Sequence, residues 1–307
     1  MTSIQNTENR QADSIGYRGQ APAQTLELML AAQLDAVHSL DACIADIERG
    51  AQLMAQTIRA GGRLFYCGAG SSGLMALADS LEIPGTFGIE PRLIQLLLAG
   101  GVGTLSQLTG APDDDAALAD TQIQKYGVCV DDCLICVSAS GSTAYTVRAL
   151  HLARVQNTPT IALASNPDSP LLQTADVPIL LQTPPEVVAG STRLGAGTAQ
   201  KVALNMMSTL MASLLGHVYD GHMVNVRVDS KKLRQRALVI VTDLGGCSVD
   251  QASEYLALAD GEVKVAVLLA SGCRDVDSAA SCLEDSLGDL GGALALANEN
   301  IGDLKES

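Results

Sequence analysis

Arg63-Leu64-Phe65-Tyr66-Cys67-Gly68-Ala69-Gly70-Ser71-Ser72-Gly73 is the stretch on which the fold turns. Its first half is an apolar run too brief for a helix and suited to a buried strand. Its second half breaks that strand with glycine and leads two adjacent hydroxyls into a helix. The pattern recurs downstream. Cys133 to Val137 runs into Ser138-Ala139-Ser140-Gly141-Ser142-Thr143 and another helical stretch, and Thr160 to Ala164 ends in Ser165-Asn166-Pro167. Short apolar strands alternating with helices predict an α/β protein built on a doubly wound parallel sheet, covered on both faces. Ligands of such sheets sit at the carboxyl ends of the strands, where all three polar loops fall.

Outward from this centre, residues 1–22 are polar and read as a poorly structured arm. From Thr25 to Arg59 apolar residues recur at helical spacing (Leu26, Leu30, Leu34, Val37), giving one long or broken helix closed by Gly61-Gly62. Ala196 to Leu215 is a further helix, with Ala199, Val202, Ala203, Met206, Leu210 and Leu214 along one stripe. Beyond about Asp229 strand signals fade. Lys231–Val241, Val249–Ala259, Val263–Ala270, Val276–Glu284 and Leu290–Ala297 read as short helices between glycine-containing turns. The expected organisation is an arm over 1–22, an α/β domain over 23–228 and a small all-helical C-terminal domain over 229–307.

Composition narrows the function classes. Hydrophobic residues make up 47% of the 307, but aromatics only 3% with no Trp, so the core is aliphatic and stacking platforms for bases or sugars are not expected. A net charge of −15 argues against nucleic acid or an anionic membrane as partner. The N-terminus lacks the apolar segment of a signal peptide, and no apolar run is read as reaching the ~18 residues of a membrane span. Eight cysteines show no disulfide framework. Together these predict a cytoplasmic protein.

The loops carry the chemistry. Gly68–Gly73 matches G-x-G-x-x-G, but a dinucleotide site wants an acid after the second strand, and Leu93–Leu98 runs into Ala99-Gly100-Gly101 instead. Ser71 and Ser72 suit a phosphate monoester at a helix N-terminus; a tight ligand-free turn is the alternative. Ser138, Ser140, Ser142 and Thr143 place four hydroxyls within six residues. An N-cap uses one of them, leaving the rest for an anion. Cys133-Leu134-Ile135-Cys136 lies inside a strand that sends the two thiols to opposite faces, so core packing explains it. The four histidines form no cluster at ligand spacing, and no metal or cofactor is expected.

Strand-GAGSSG and strand-SASGST together resemble the sugar isomerase (SIS) domain, a doubly wound fold that binds phosphosugars. Asp79 to Gly88, and above all Pro185 to Lys201, are similar to segments of the N-acetylmuramic acid 6-phosphate etherases; the glucokinase regulatory proteins are more distant relatives. Thr7-Glu8-Asn9-Arg10, Leu204 to Thr209 and Met223-Val224-Asn225-Val226 extend the likeness over almost the whole chain. The resemblance implies a lyase that cleaves the lactyl ether of a 6-phosphorylated amino sugar, as a homodimer with sites completed across the interface. A base takes the proton at carbon 2 of the open-chain sugar, lactate leaves from carbon 3, and water adds back.

By the same resemblance Glu82 matches the catalytic glutamate, Ser191 faces the ligand, Glu186 faces it or supports a residue that does, and Lys232 lies near the sugar phosphate. Read without it, Glu82 is a solvated helix-end acid, Glu186 an acid at a helix start, and Lys232 a helix-opening charge. The chain departs from the family at four positions. A second functional glutamate falls on Pro112, with Asp113 or Asp114 as shorter substitutes. Two arginines fall on Leu74 and Ser142, and a lysine on Gly195. Two rivals therefore stand beside the etherase: a non-catalytic sugar-phosphate sensor, and a lyase or isomerase for another phosphosugar.

Overall fold

The computed structural model describes residues 6–104, 111–226, 228 and 230–306. Thr109 and Gly110, which open the segment of the second family glutamate, lie outside the described residues, as does Asp229 at the expected domain boundary. The chain forms two compact units, residues 1–81 with 91–210, and residues 82–90 with 211–307.

The first unit opens with three single 3-10 turns between Asn6 and Gly19, a more ordered arm than its polar sequence suggests. Then come α1 (Pro22–His38), α2 (Ile44–Arg59), β1 (Leu64–Gly68), α3 (Gly70–Phe87), β2 (Ile94–Leu98), α4 (Ala116–Tyr126), β3 (Cys133–Val137), α5 (Ala144–Val155), β4 (Thr160–Ala164), α6 (Pro170–Thr174), β5 (Val177–Leu180) and α7 (Gly195–Leu214). The strands form one parallel sheet in the order β2-β1-β3-β4-β5. β1, β3 and β4 are buried at every position, which is why they read as unbroken apolar runs rather than alternating ones.

Helices cover both faces, giving the doubly wound sheet that the sequence predicts. On one side Phe65, Leu134, Cys136 and Ala162 pack with Ile123 of α4, Leu150 of α5 and Leu171 of α6. On the other, Gly50 of α2 lets Met207 of α7 and Ile179 of β5 approach closely. Asp79 of α3 is buried there and accepts hydrogen bonds from Tyr66 (2.8 Å), Asn205 (2.7 Å) and Ser208 (3.0 Å), which ties β1, α3 and α7 together. Cys133 and Cys136 are both fully buried, and burial pushes both thiols above their ordinary range.

On windowed hydropathy, the stretch Pro22–Arg59 is long and apolar enough to cross a membrane, although its apolar residues are interrupted. The turn at Ser39–Cys43 breaks it, and Ile47, Ala51 and Met54 of α2 are buried in the first unit.

The second unit contains a short antiparallel ribbon, β6 (Val218–Tyr219) with β7 (His222–Met223), then α8 (Lys231–Gly245), α9 (Val249–Leu258), α10 (Val263–Ala270), α11 (Val276–Asp285) and α12 (Leu290–Glu306). These five helices begin where the sequence predicts them. Three starts are set by local capping: Ser230, Ser248 and Asp275 each accept from a first-turn amide, and Gln251 closes a box with Ser248. Ala237, Val241, Ala266, Leu268 and Ala293 lie in the unit's own aliphatic core.

Candidate functional site

The strand order reverses direction between β1 and β3, the switch point at which an open α/β sheet leaves a crevice. Gly68 of β1 pairs with Val137 of β3, so both hydroxyl loops leave the sheet at the same level, one strand apart. They touch. The Ala139 amide donates to Ser72 Oγ at 3.3 Å.

The first loop needs its glycines for close approach. A Cβ at Gly68 would lie 2.9 Å from the Gly73 Cα, and one at Gly73 would lie 2.5 Å from Leu98 Cδ1 and 3.1 Å from the Gly68 carbonyl carbon. Helix α3 thus starts hard against the end of β1. Ser71 and Ser72 occupy its first turn, where unpaired amides and the helix dipole favour an anion.

In the second loop the hydroxyls hold one another. Ser138 Oγ lies 2.9 Å from Thr143 Oγ1 and 3.4 Å from Ser140 Oγ, and accepts from the Gly141 amide at 3.1 Å. Ser140 Oγ accepts from both the amide and the hydroxyl of Ser142, each at 3.2 Å. Thr143 stands at the N-cap of α5, yet its side chain makes no capping bond. The hydroxyl that ordinary capping would use turns back toward Ser138, so capping does not account for this cluster. Gly141 has φ +68, and a Cβ there would overlap Ser169 Oγ and Cβ.

Asp113 comes to the same place from the far side of β1. Its Oδ2 would be 3.0 Å from a Cβ on Gly70, the residue that opens α3 with φ +51. Burial, and then the neighbouring charge of Asp114, raise its carboxyl above the ordinary aspartate range. One half-buried acid with a raised carboxyl pKa therefore stands over the first loop. Pro112, beside it, has no proton to give.

The remaining candidates separate. Glu186 is 5% exposed, and its two oxygens accept from the amides of Gly195 and Ala196, both at 2.9 Å. It caps α7. Gly195 fits this arrangement, because a Cβ there would sit 3.2 Å from Glu186 Oε2 and 3.1 Å from the Ala36 methyl. Ser191 is half-buried in the turn before α7, with its amide on the Val188 carbonyl at 2.9 Å. Glu82 is exposed on α3. It and Lys232, exposed in the first turn of α8, belong to the second compact unit.

Two polar residues with no role assigned from sequence also belong to the first unit's loop edge: Asn166 after β4, and Thr7 of the arm. Asn166 Nδ2 donates to the Ser140 carbonyl (3.1 Å) and to Thr7 Oγ1 (3.4 Å). The available signals were the polar Ser165-Asn166-Pro167 turn at a strand's carboxyl end and the Thr7–Arg10 motif, neither of which states a partner. Among the described residues, no three His, Cys, Asp or Glu side chains gather as metal ligands.

A parallel sheet in this order, with two hydroxyl loops meeting at its switch point, defines an SIS-type protein. SIS domain models match residues 31–165 and 124–215. A phosphoheptose isomerase from Francisella tularensis superposes with a TM-score of 0.50 at 18% identity, covering 63% of this chain and all of that one, which shows the fold. The N-acetylmuramic acid 6-phosphate etherase of Geobacillus thermodenitrificans is 39% identical over 86% of this chain and 89% of its own. That of Deinococcus radiodurans is 36% identical over 94% of both. The chain belongs to the N-acetylmuramic acid 6-phosphate etherase family.

Proposed function

We propose that this protein is a carbon–oxygen lyase that converts N-acetylmuramic acid 6-phosphate to N-acetylglucosamine 6-phosphate and D-lactate in the cytoplasm. The observation that carries this reading is the meeting of Ser72 with the Ser138–Thr143 loop beside the starts of α3 and α5. That crevice suits a phosphomonoester: helix N-termini supply amides, four serines and a threonine supply hydroxyls, and no cation is required.

Chemistry follows from where acids stand relative to a phosphate held there. With the sugar phosphate anchored, Glu82 takes the proton at carbon 2, acidified by the open-chain aldehyde. The bond from carbon 3 to the lactyl oxygen then breaks, and water adds across the resulting double bond. Asp113 is the acid that protonates the departing oxygen, in place of the glutamate missing at Pro112. Burial and the charge of Asp114 raise its carboxyl above the ordinary range, which suits that role. Ser191 and Lys232 complete the substrate contacts, while Glu186 acts through its cap on α7, which sets the Ser191 turn.

The likeness to the etherases supports a homodimer whose sites are completed across the interface. Helix α1 supports the dimer independently. Leu26, Leu30 and Leu34, four residues apart on one face, are 66%, 62% and 52% exposed, an apolar stripe that a second copy would cover.

The test is lactate release from N-acetylmuramic acid 6-phosphate by wild type and Glu82→Gln. Release by the wild type that disappears in the variant supports the lyase. Pro112 favours one other reading, the sugar-phosphate sensor; calorimetric binding of the phosphosugar with no lactate release would select it.

A further inference from the structure

The second loop presents its hydroxyls and amides to the crevice only if its carbonyls face elsewhere, since carbonyl oxygens repel a phosphate. Three consecutive carbonyls are tied down by the segment after β4. The Ala139 carbonyl accepts from the Ser165 amide (2.9 Å), the Gly141 carbonyl from the Leu171 amide (3.1 Å), and the Ser140 carbonyl from Asn166 Nδ2 (3.1 Å). Two of these donors are backbone. The third is a side chain, and the same amide nitrogen reaches Thr7 Oγ1. Thr7 and Asn166 are both buried. On its other side Thr7 is held by its carbonyl, which accepts from the Gly190 amide (3.1 Å). Gly190 in turn has φ +75 and leaves room for Glu8, whose Oε2 would be 3.1 Å from a Cβ there.

We propose that Asn166 is a positioning residue for phosphate capture, and that through it the N-terminal arm forms part of the phosphate cradle. Asn166 turns the Ser140 carbonyl away from the anion, which orients Ser140 Oγ and the Ser142 amide bonded to it. Thr7, clamped between Asn166 and Gly190, fixes the Asn166 amide plane. The ligand class is a phosphomonoester dianion. The contribution is to binding: the phosphate is remote from the bonds that break, so losing it weakens ground and transition states alike and raises KM while leaving kcat unchanged.

The inference rests on the phosphate reading of the crevice, so the experiment measures binding and turnover separately. Wild type, Asn166→Ala, Thr7→Val, Thr7→Ser and the Thr7→Val/Asn166→Ala double variant are titrated by calorimetry with N-acetylglucosamine 6-phosphate and with inorganic phosphate. Their KM and kcat for lactate release are measured in parallel. Asn166→Ala is expected to weaken phosphosugar binding about tenfold and Thr7→Val about fivefold, each near the value of one or two hydrogen bonds. KM should rise by the same factors with kcat within about twofold. Thr7→Ser, which keeps the hydroxyl, should bind like wild type, and the double variant should be no weaker than Asn166→Ala alone. Wild-type affinity in Asn166→Ala or Thr7→Val, multiplicative losses in the double variant, or kcat falling with melting temperature while KM stays fixed would each overturn the proposal. If binding changes as expected but no protein releases lactate, the etherase reading fails and this one stands. If wild type binds neither probe, both fail.

Discussion

Gly141→Ala is the substitution whose outcome the structure determines most sharply. Residue 141 has φ +68, a left-handed conformation that costs an L-residue about 1–2 kcal/mol. The added methyl would overlap Ser169 Oγ and Cβ and lie 2.9 Å from the Ala164 Cβ. Rotating Ser169 moves its hydroxyl but not its Cβ, and Ala164 ends a fully buried strand, so the loop itself has to shift. Overpacking of this kind costs about 1–3 kcal/mol, giving a loss of about 2–5 kcal/mol in all. At roughly 2 °C or more per kcal/mol, melting should fall by at least about 4 °C. A displaced loop also spoils the Ser138–Gly141 bond, so phosphosugar affinity should drop together with stability. Scanning calorimetry and ligand titration measure the two effects. Adding Ser169→Gly should recover the part due to Ser169 and leave the Ala164 contact and the backbone part of about 1–2 kcal/mol. A Gly141→Ala protein melting within about 1 °C of wild type, with undiminished affinity, would refute both the loop geometry and its role.

Other expectations follow from the acids and the exposed helix. Asp113→Asn should abolish most lactate release. Because burial raises the Asp113 carboxyl, its ionised form opposes folding. The variant should therefore be more stable than wild type at neutral pH, with the difference vanishing as pH falls below the unfolded aspartate value of about 4 in pH-dependent melting curves. Pro112→Glu restores an acid next to Asp113, and kcat should rise in the same lactate assay. Leu30→Glu places a charge in the α1 stripe and should give a monomer by light scattering, with activity lost alongside the dimer. Mixing inactive Glu82→Gln and Asp113→Asn proteins, with subunit exchange, should restore up to about a quarter of wild-type turnover if sites are shared across a two-fold interface. Additive inactivity after proven exchange would place both residues in one subunit's site.

Local chemistry wrote the elements into the sequence. Leu64–Gly68, Cys133–Val137 and Thr160–Ala164 announce themselves because strands covered on both faces are apolar throughout. The C-terminal helices start where Ser230, Ser248 and Asp275 cap their own neighbours. The hydroxyl clusters at the starts of α3 and α5 were likewise visible. The sequence could not show which loops meet. Strand order rests on backbone pairing between segments tens of residues apart, and a peptide group carries the same donor and acceptor whatever its side chain. The tertiary structure alone sets Ser72 against Ala139, brings Asp113 over Gly70, turns Glu186 back onto the start of α7, and seats Thr7 of the arm beside Asn166. Most of these join residues far apart in sequence and form only once the sheet has ordered the loops along one edge.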